Sequence, residues 1–186
     1  GTMALSIMQV CQLDVAYALL FEMWGKSTRH QFLAPVSPWH MVLGSWFMGV
    51  ARGSVVFVLL AGLTLWAFDF NFFAPGVVPV AAFLLGLYLT AMLVGVLVSI
   101  LLLLFGLRAE VSAWSTVSVV LLVCGIYYPV AVLPAPLAHL AAWIPLTYFL
   151  DAFRVHFGFA PEFRLSLAKG FLLSALYLVL ASWALS

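Results

Sequence analysis

Gly25-Lys26-Ser27-Thr28 has the closing residues of a phosphate-binding loop. In such a loop, backbone N–H groups wrap a phosphate and the lysine reaches its oxygens. The full pattern also needs an earlier glycine, and the position where it should stand is Leu20. Met23 and Trp24 occupy places where small residues would let the backbone close. An apolar, helix-length segment precedes the motif, whereas a nucleotide loop follows a strand. The chain is therefore expected to have no nucleotide site of its own, so ATP and its magnesium would sit on a partner chain.

The remaining ionisable residues offer two further chemistries. Asp14 lies inside an apolar stretch, where a carboxylate costs about 2.5–3.5 kcal/mol on insertion scales and marks a candidate proton or substrate ligand. The plainer reading is a helix facing a watery cleft or a second helix. Ser6, Gln9 and Gln12 support it by forming one polar stripe at helical spacing, and Asp14 projects away from that stripe. Arg52 is read as about a turn inside the second apolar segment, with its long side chain snorkelling to the cytoplasmic headgroups, a contact to a substrate phosphate being the less favoured alternative. Asp151 and Arg154 are spaced to pair on one helical face, with His139 and His156 nearby. No HExxH or GxSxG pattern accompanies them, so a structural ion pair is expected rather than a catalytic group. Cys11 and Cys124 are far apart within apolar runs, where they read as buried apolar residues and neither a metal site nor a disulfide framework.

What positions these residues follows from composition. Of 186 residues, 67% are hydrophobic and 7% charged. A soluble domain is typically about a quarter charged, so the solvent for this chain must be lipid. The formal charge of +1 provides no basic field for nucleic acid. A hydrocarbon core about 30 Å thick needs about 20 apolar residues per spanning helix. Five segments meet that requirement: residues 3–23, 41–68, 80–105, 114–132 and 165–185. The expectation is an all-α, polytopic helix bundle forming one transmembrane domain over residues 3–186.

The connections differ in kind. Residues 24–40 are polar, and residues 69–79 are rich in breakers and lack Lys and Arg. The 69–79 loop is accordingly placed outside and 24–40 in the cytoplasm. Residues 134–164 are too apolar for a free loop, yet Pro134, Pro136, Pro145 and Pro161 interrupt any single helix. Two short re-entrant helices, about 137–144 and 147–157, are expected there. Trp143, Tyr148 and Trp183 suit interfacial anchoring. Ser45, Gly49 and Gly53, and likewise Ala91, Gly95 and Ser99, repeat every four residues, a spacing that lets membrane helices approach closely. Packing within the chain and a seam between copies remain equal alternatives for both sets.

Two stretches carry a resemblance. One runs from Phe21-Glu22-Met23-Trp24-Gly25-Lys26 through Ala34-Pro35-Val36-Ser37-Pro38-Trp39. The other is Gly125-Ile126-Tyr127-Tyr128-Pro129 with Leu133-Pro134, followed by Ile144-Pro145-Leu146-Thr147-Tyr148 to Asp151 and Arg154. Together they resemble the permeases of type-2 ATP-binding-cassette (ABC) exporters, which move drugs, lipids and polysaccharides. The resemblance implies six spans, with the five here matching spans two to six, and a prokaryotic cytoplasmic membrane as the location. It also implies a dimer, homo- or heteromeric, with the substrate pathway between two permease copies and a separate ABC ATPase subunit as partner. Glu22, Trp24, Lys26, Arg29, His30, Pro35, Ser37 and Pro38 would match the ATPase-coupling segment, and Arg108 and Glu110 the second cytoplasmic turn. Tyr127, Tyr128, Pro129, Pro134, Pro145, Tyr148, Asp151 and Arg154 would match the outer gate.

Two other classes compete. A secondary transporter or channel with Pro-broken helices would have inverted repeats and would work without ATP. An intramembrane enzyme would need paired catalytic side chains at one depth, and only Asp14 and Arg52 are available.

Overall fold

The computed structural model describes residues 2–24, 38–106 and 110–185. Seven helices form among them: α1 (Thr2–Trp24), α2 (Pro38–Phe68), α3 (Val77–Phe105), α4 (Glu110–Val123), α5 (Ala135–Ala141), α6 (Pro145–Val155) and α7 (Ser166–Leu185). A 310 turn, Val130–Val132, precedes α5. The described residues contain no strand, so the fold is all-α.

Lipid explains the long helices, because a chain that crosses hydrocarbon must satisfy its backbone polar groups internally. The 31 residues of α2 and 29 of α3 extend about 46 and 43 Å at the helical rise, more than the hydrocarbon core. Among the described residues, these two are long and apolar enough to cross a membrane. Met3–Ala18 in α1 and Ser166–Ala181 in α7 are shorter apolar stretches. Polar residues inside the long helices bond back to their own backbone. Ser45 donates to the Met41 carbonyl at 2.9 Å, Ser54 to Val50 at 2.7 Å, Thr90 to Gly86 at 2.8 Å and Ser99 to Gly95 at 2.9 Å.

The fourth helix departs from expectation. It covers 14 residues and stops at Val123, about 21 Å in all, too short for the core. Gly125 then takes a positive φ of 80°, which turns the chain out of the helix, and Pro129 follows in an extended conformation. The 124–132 stretch is apolar enough to look like more of the same span, since an apolar run does not by itself distinguish helix from buried turn.

Helix directions follow from which residues meet. Gly49 of α2 lies against Cys11, and Gly53 against Ile7, so α1 and α2 are antiparallel. Gly53 lies against both Ile7 of α1 and Tyr88 of α3, and Gly95 of α3 lies against Val15 and Gln12, so α1 and α3 run the same way. The end of α1, the start of α2, the end of α3 and the start of α4 therefore share one end of the bundle. At the other end, the 69–76 connection meets α6. There Phe153 stacks on Phe83 at 4.2 Å and on Phe72 at 5.0 Å, and Phe70 stacks on Phe157 at 5.4 Å.

Helix α3 is the hub, packed by α1, α4, α6 and α7. The core joins Ile7, Met8 and Cys11 of α1 to Leu87 and Ala91 of α3 and to Leu146, Leu150 and Phe153 of α6. Helix α2 packs chiefly on α1 and turns Phe47, Val58, Leu63 and Trp66 outward.

Candidate functional site

The first group of candidate residues gathers at the end where α1 gives way to α2 and α3 to α4. Glu22 and Trp24 fall in the last turn of α1, Pro38 opens α2 and Glu110 opens α4. Lys26, Arg29, His30, Pro35, Ser37 and Arg108 lie outside the described residues. Both short connections thus arise from one end of the bundle.

A second group sits halfway along the long helices. Arg52 lies at the middle of α2, about four turns from Pro38 rather than the one expected. Its Nη1 donates to Asp14 Oδ1 of α1 at 2.6 Å. The two residues read separately from sequence are therefore one ion pair. The Arg52 side chain is 57% exposed and that of Asp14 16%. Asp14 Oδ2 is buried with no hydrogen-bond partner among the described residues. An unpaired charge at the centre of a spanning helix costs about 2.5–3.5 kcal/mol on insertion scales, and pairing offsets part of that cost. Gln12, by contrast, is buried against α3, so at that point the polar stripe of α1 faces a helix and not water.

The third group builds the opposite end. Tyr128 donates its hydroxyl to the Leu122 carbonyl at 2.7 Å, closing the last turn of α4. Gly125 is required there twice over, by its positive φ and by the Val130 side chain and Tyr128 carbonyl at about 3 Å from any added Cβ. Arg154 donates to the Gly125 carbonyl and, at 3.3 Å, to that of Ile126. Asp151 accepts the backbone N–H of Glu162 at 3.0 Å and of Phe163 at 3.2 Å. Asp151 and Arg154 therefore do not pair with each other, which corrects the ion pair expected from their spacing. Each has free backbone groups closer at hand, and each ties α6 to a different loop.

The short helices begin earlier than expected because proline fits the first turn. Pro136 lies in the first turn of α5 and Pro145 at the start of α6, where the missing N–H has no intrahelical partner to lose. Pro134 and Pro129, both extended, precede α5 and the 310 turn. The last carbonyls of a helix lack intrahelical donors, and at the end of α5 the backbone N–H groups of Trp143 and Ile144 bond Leu140 and Ala141. Thr147 donates to Ala141 and Tyr148 to Ala142, each at 2.9 Å. Burial raises the Tyr148 pKa above its ordinary value, which keeps this hydroxyl a donor. Tyr127 is exposed and makes no such link.

Helix contacts account for the small residues. A Cβ on Gly49 would come within 2.9 Å of the Cys11 carbonyl oxygen, and one on Gly95 within 2.7 Å of Val15. Ala91 and Ser99 are buried, and Ser45 is half-buried. These glycines serve packing within the chain. Two further glycines stand outside the four-residue spacing. Gly86 and Gly170, on α3 and α7, flank the fully buried Phe149 ring, with Cβ positions 2.3 and 3.0 Å from it. They lie on different helices, so no repeat in the sequence could reveal the slot. An apolar cleft of about 390 Å³ lies between α3, α4 and α7, beside Trp143 and Ile144. Tyr177 on its wall donates to the Trp143 carbonyl at 2.8 Å.

Among the described residues, Asp14 and Arg52 join two helices, and Asp151 and Arg154 tie α6 to neighbouring loops. In comparison with protein families, the model described as ABC-2 type transporter matches residues 1–158. No curated protein and no solved structure matches the chain. Because the family match takes in most of the 186 residues, the chain belongs to the ABC-2 type transporter family and is an integral membrane permease.

Proposed function

We propose that two copies of this chain form the pathway of an ATP-driven exporter in the cytoplasmic membrane, with ATP bound and hydrolysed on a separate ATPase subunit. Residues 24–40 and the turn around Arg108 and Glu110 are the surfaces that the ATPase pushes. The observation that carries the reading is the shared end of the bundle. Both connections emerge there, next to helices that run the full length of the molecule. Force applied at that end is transmitted along α2 and α3 as rigid rods to the aromatic cluster and the α5–α6 pair, which act as the outer gate. The cofactor role follows the same logic: this chain needs no bound group of its own, because the energy arrives mechanically.

The test is capture of the ATPase encoded alongside the chain. A Lys26→Ala/Arg29→Ala variant is expected to retain far less ATPase than the wild type from detergent extracts. Capture by the variant equal to wild type would remove those two residues from the contact. Reconstituted vesicles provide the second arm. Substrate movement that persists without ATPase or ATP would replace this reading with a secondary transporter.

A further inference from the structure

Arg52 stands on a helix face that is otherwise apolar, with exposed Met48, Val55 and Leu59 above and below it. Its guanidinium presents five N–H donors in a planar fork. Asp14 occupies the fork at one point, Nη1 to Oδ1, instead of gripping it with both oxygens. Its second oxygen is buried and unpartnered, so the carboxylate anchors the cation without saturating it. The rest of the fork belongs to a side chain more than half exposed, near the middle of the apolar stretch Trp39–Phe68. A surface with one cationic fork set in apolar helix complements a molecule with an apolar body and a single anionic group. Bidentate pairing to phosphate-type oxygens is the contact that such a fork makes best.

We propose that Arg52, positioned by Asp14, is the intramembrane binding point for the anionic head of an amphipathic molecule, with a phosphate-type group on an apolar chain. As an assignment of substrate class, it rests on the reading of the chain as an export permease. The head group pairs with the open side of the guanidinium while the chain lies along Val55 and Leu59.

The experiment uses the full chain in nanodiscs of phosphatidylcholine and reads equilibrium binding of radiolabelled hexadecyl phosphate. Arg52→Gln is expected to weaken binding by about tenfold or more, and Arg52→Lys, which keeps the charge but loses the fork, by less. Hexadecyl trimethylammonium is expected not to compete. Displacement by phosphatidylglycerol in the disc would support a bilayer lipid as the source of the head group, and failure to displace would support a separate transported amphipath. Equal binding by wild type and a helical, monodisperse Arg52→Gln variant would overturn the proposal. So would equal competition by the cationic amphipath, a wild-type measurement that needs no variant to fold. Loss of binding together with a change in oligomeric state would also overturn it, because a second copy would then be covering Arg52. Displacement by inorganic phosphate at the same concentration would overturn the amphipath requirement. Binding is read with no ATPase present, so its failure is distinct from failure of the capture test.

Discussion

At the scale of single residues, the molecule is governed by how closely helix backbones approach and by one ion pair between helices. Gly86→Ala would drive a methyl group into the Phe149 ring. It is expected to lower stability by about 1–3 kcal/mol, the usual cost of overpacking, measured as a fall in melting temperature in detergent. Gly44 has nothing within 4 Å of its Cβ position, so Gly44→Ala should be neutral or slightly stabilising by about 0.5 kcal/mol or less. Equal effects at the two sites would refute the slot. Removing Asp14 leaves Arg52 without its counter-charge, so Asp14→Ala should cost about 1–3 kcal/mol. The Asp14→Ala/Arg52→Ala double variant should cost less than the sum of the two single changes, since neither charge is then stranded. Additive losses in that cycle would mean that the pair is not coupled.

At the scale of elements, the outer region is a set of short pieces held by side chains instead of by length. Helix α5 is seven residues long, too short to persist by propensity, and Thr147 and Tyr148 add side-chain donors to the carbonyls at its end. Thr147→Val keeps the shape and removes one of the two donors to the Ala141 carbonyl, the other being the Ile144 N–H, at a cost of about 0.5–1.5 kcal/mol for one lost hydrogen bond. Faster amide exchange confined to residues 135–146 is the expected signature, and unchanged exchange there would count against the cap. Arg154→Met should loosen the turn after α4, because the Gly125 and Ile126 carbonyls lose their shared donor. Exchange should then rise at residues 124–132 while α3 stays protected. Much of this region is legible in sequence, since Pro134 and Pro145 announce broken helices. The partners of Asp151 and Arg154 are not, because helical spacing predicts which side chains share a face but not which loop backbone will reach them first.

At the scale of the whole molecule, α3 is buried on several sides while α2 exposes a long apolar face, an arrangement stable only where lipid or a second chain covers it. Purified protein is expected to require detergent, and cross-linking in nanodiscs should trap a species of two chains. A single chain that supports ATP-dependent export would contradict the dimeric pathway.

By itself the sequence determined the solvent and the class of fold. A chain so apolar and so poor in charge can satisfy its backbone only as helices in lipid, and the paired Pro-rich motifs already resembled an exporter permease. The tertiary structure alone decided that Asp14 meets Arg52, that Gly86 and Gly170 clasp Phe149, and that the fourth helix stops at Val123. Composition depends on residue types and survives any rotation of the helices. Those contacts depend on the rotation and register of helices joined far apart in the chain, and packing against neighbours sets both.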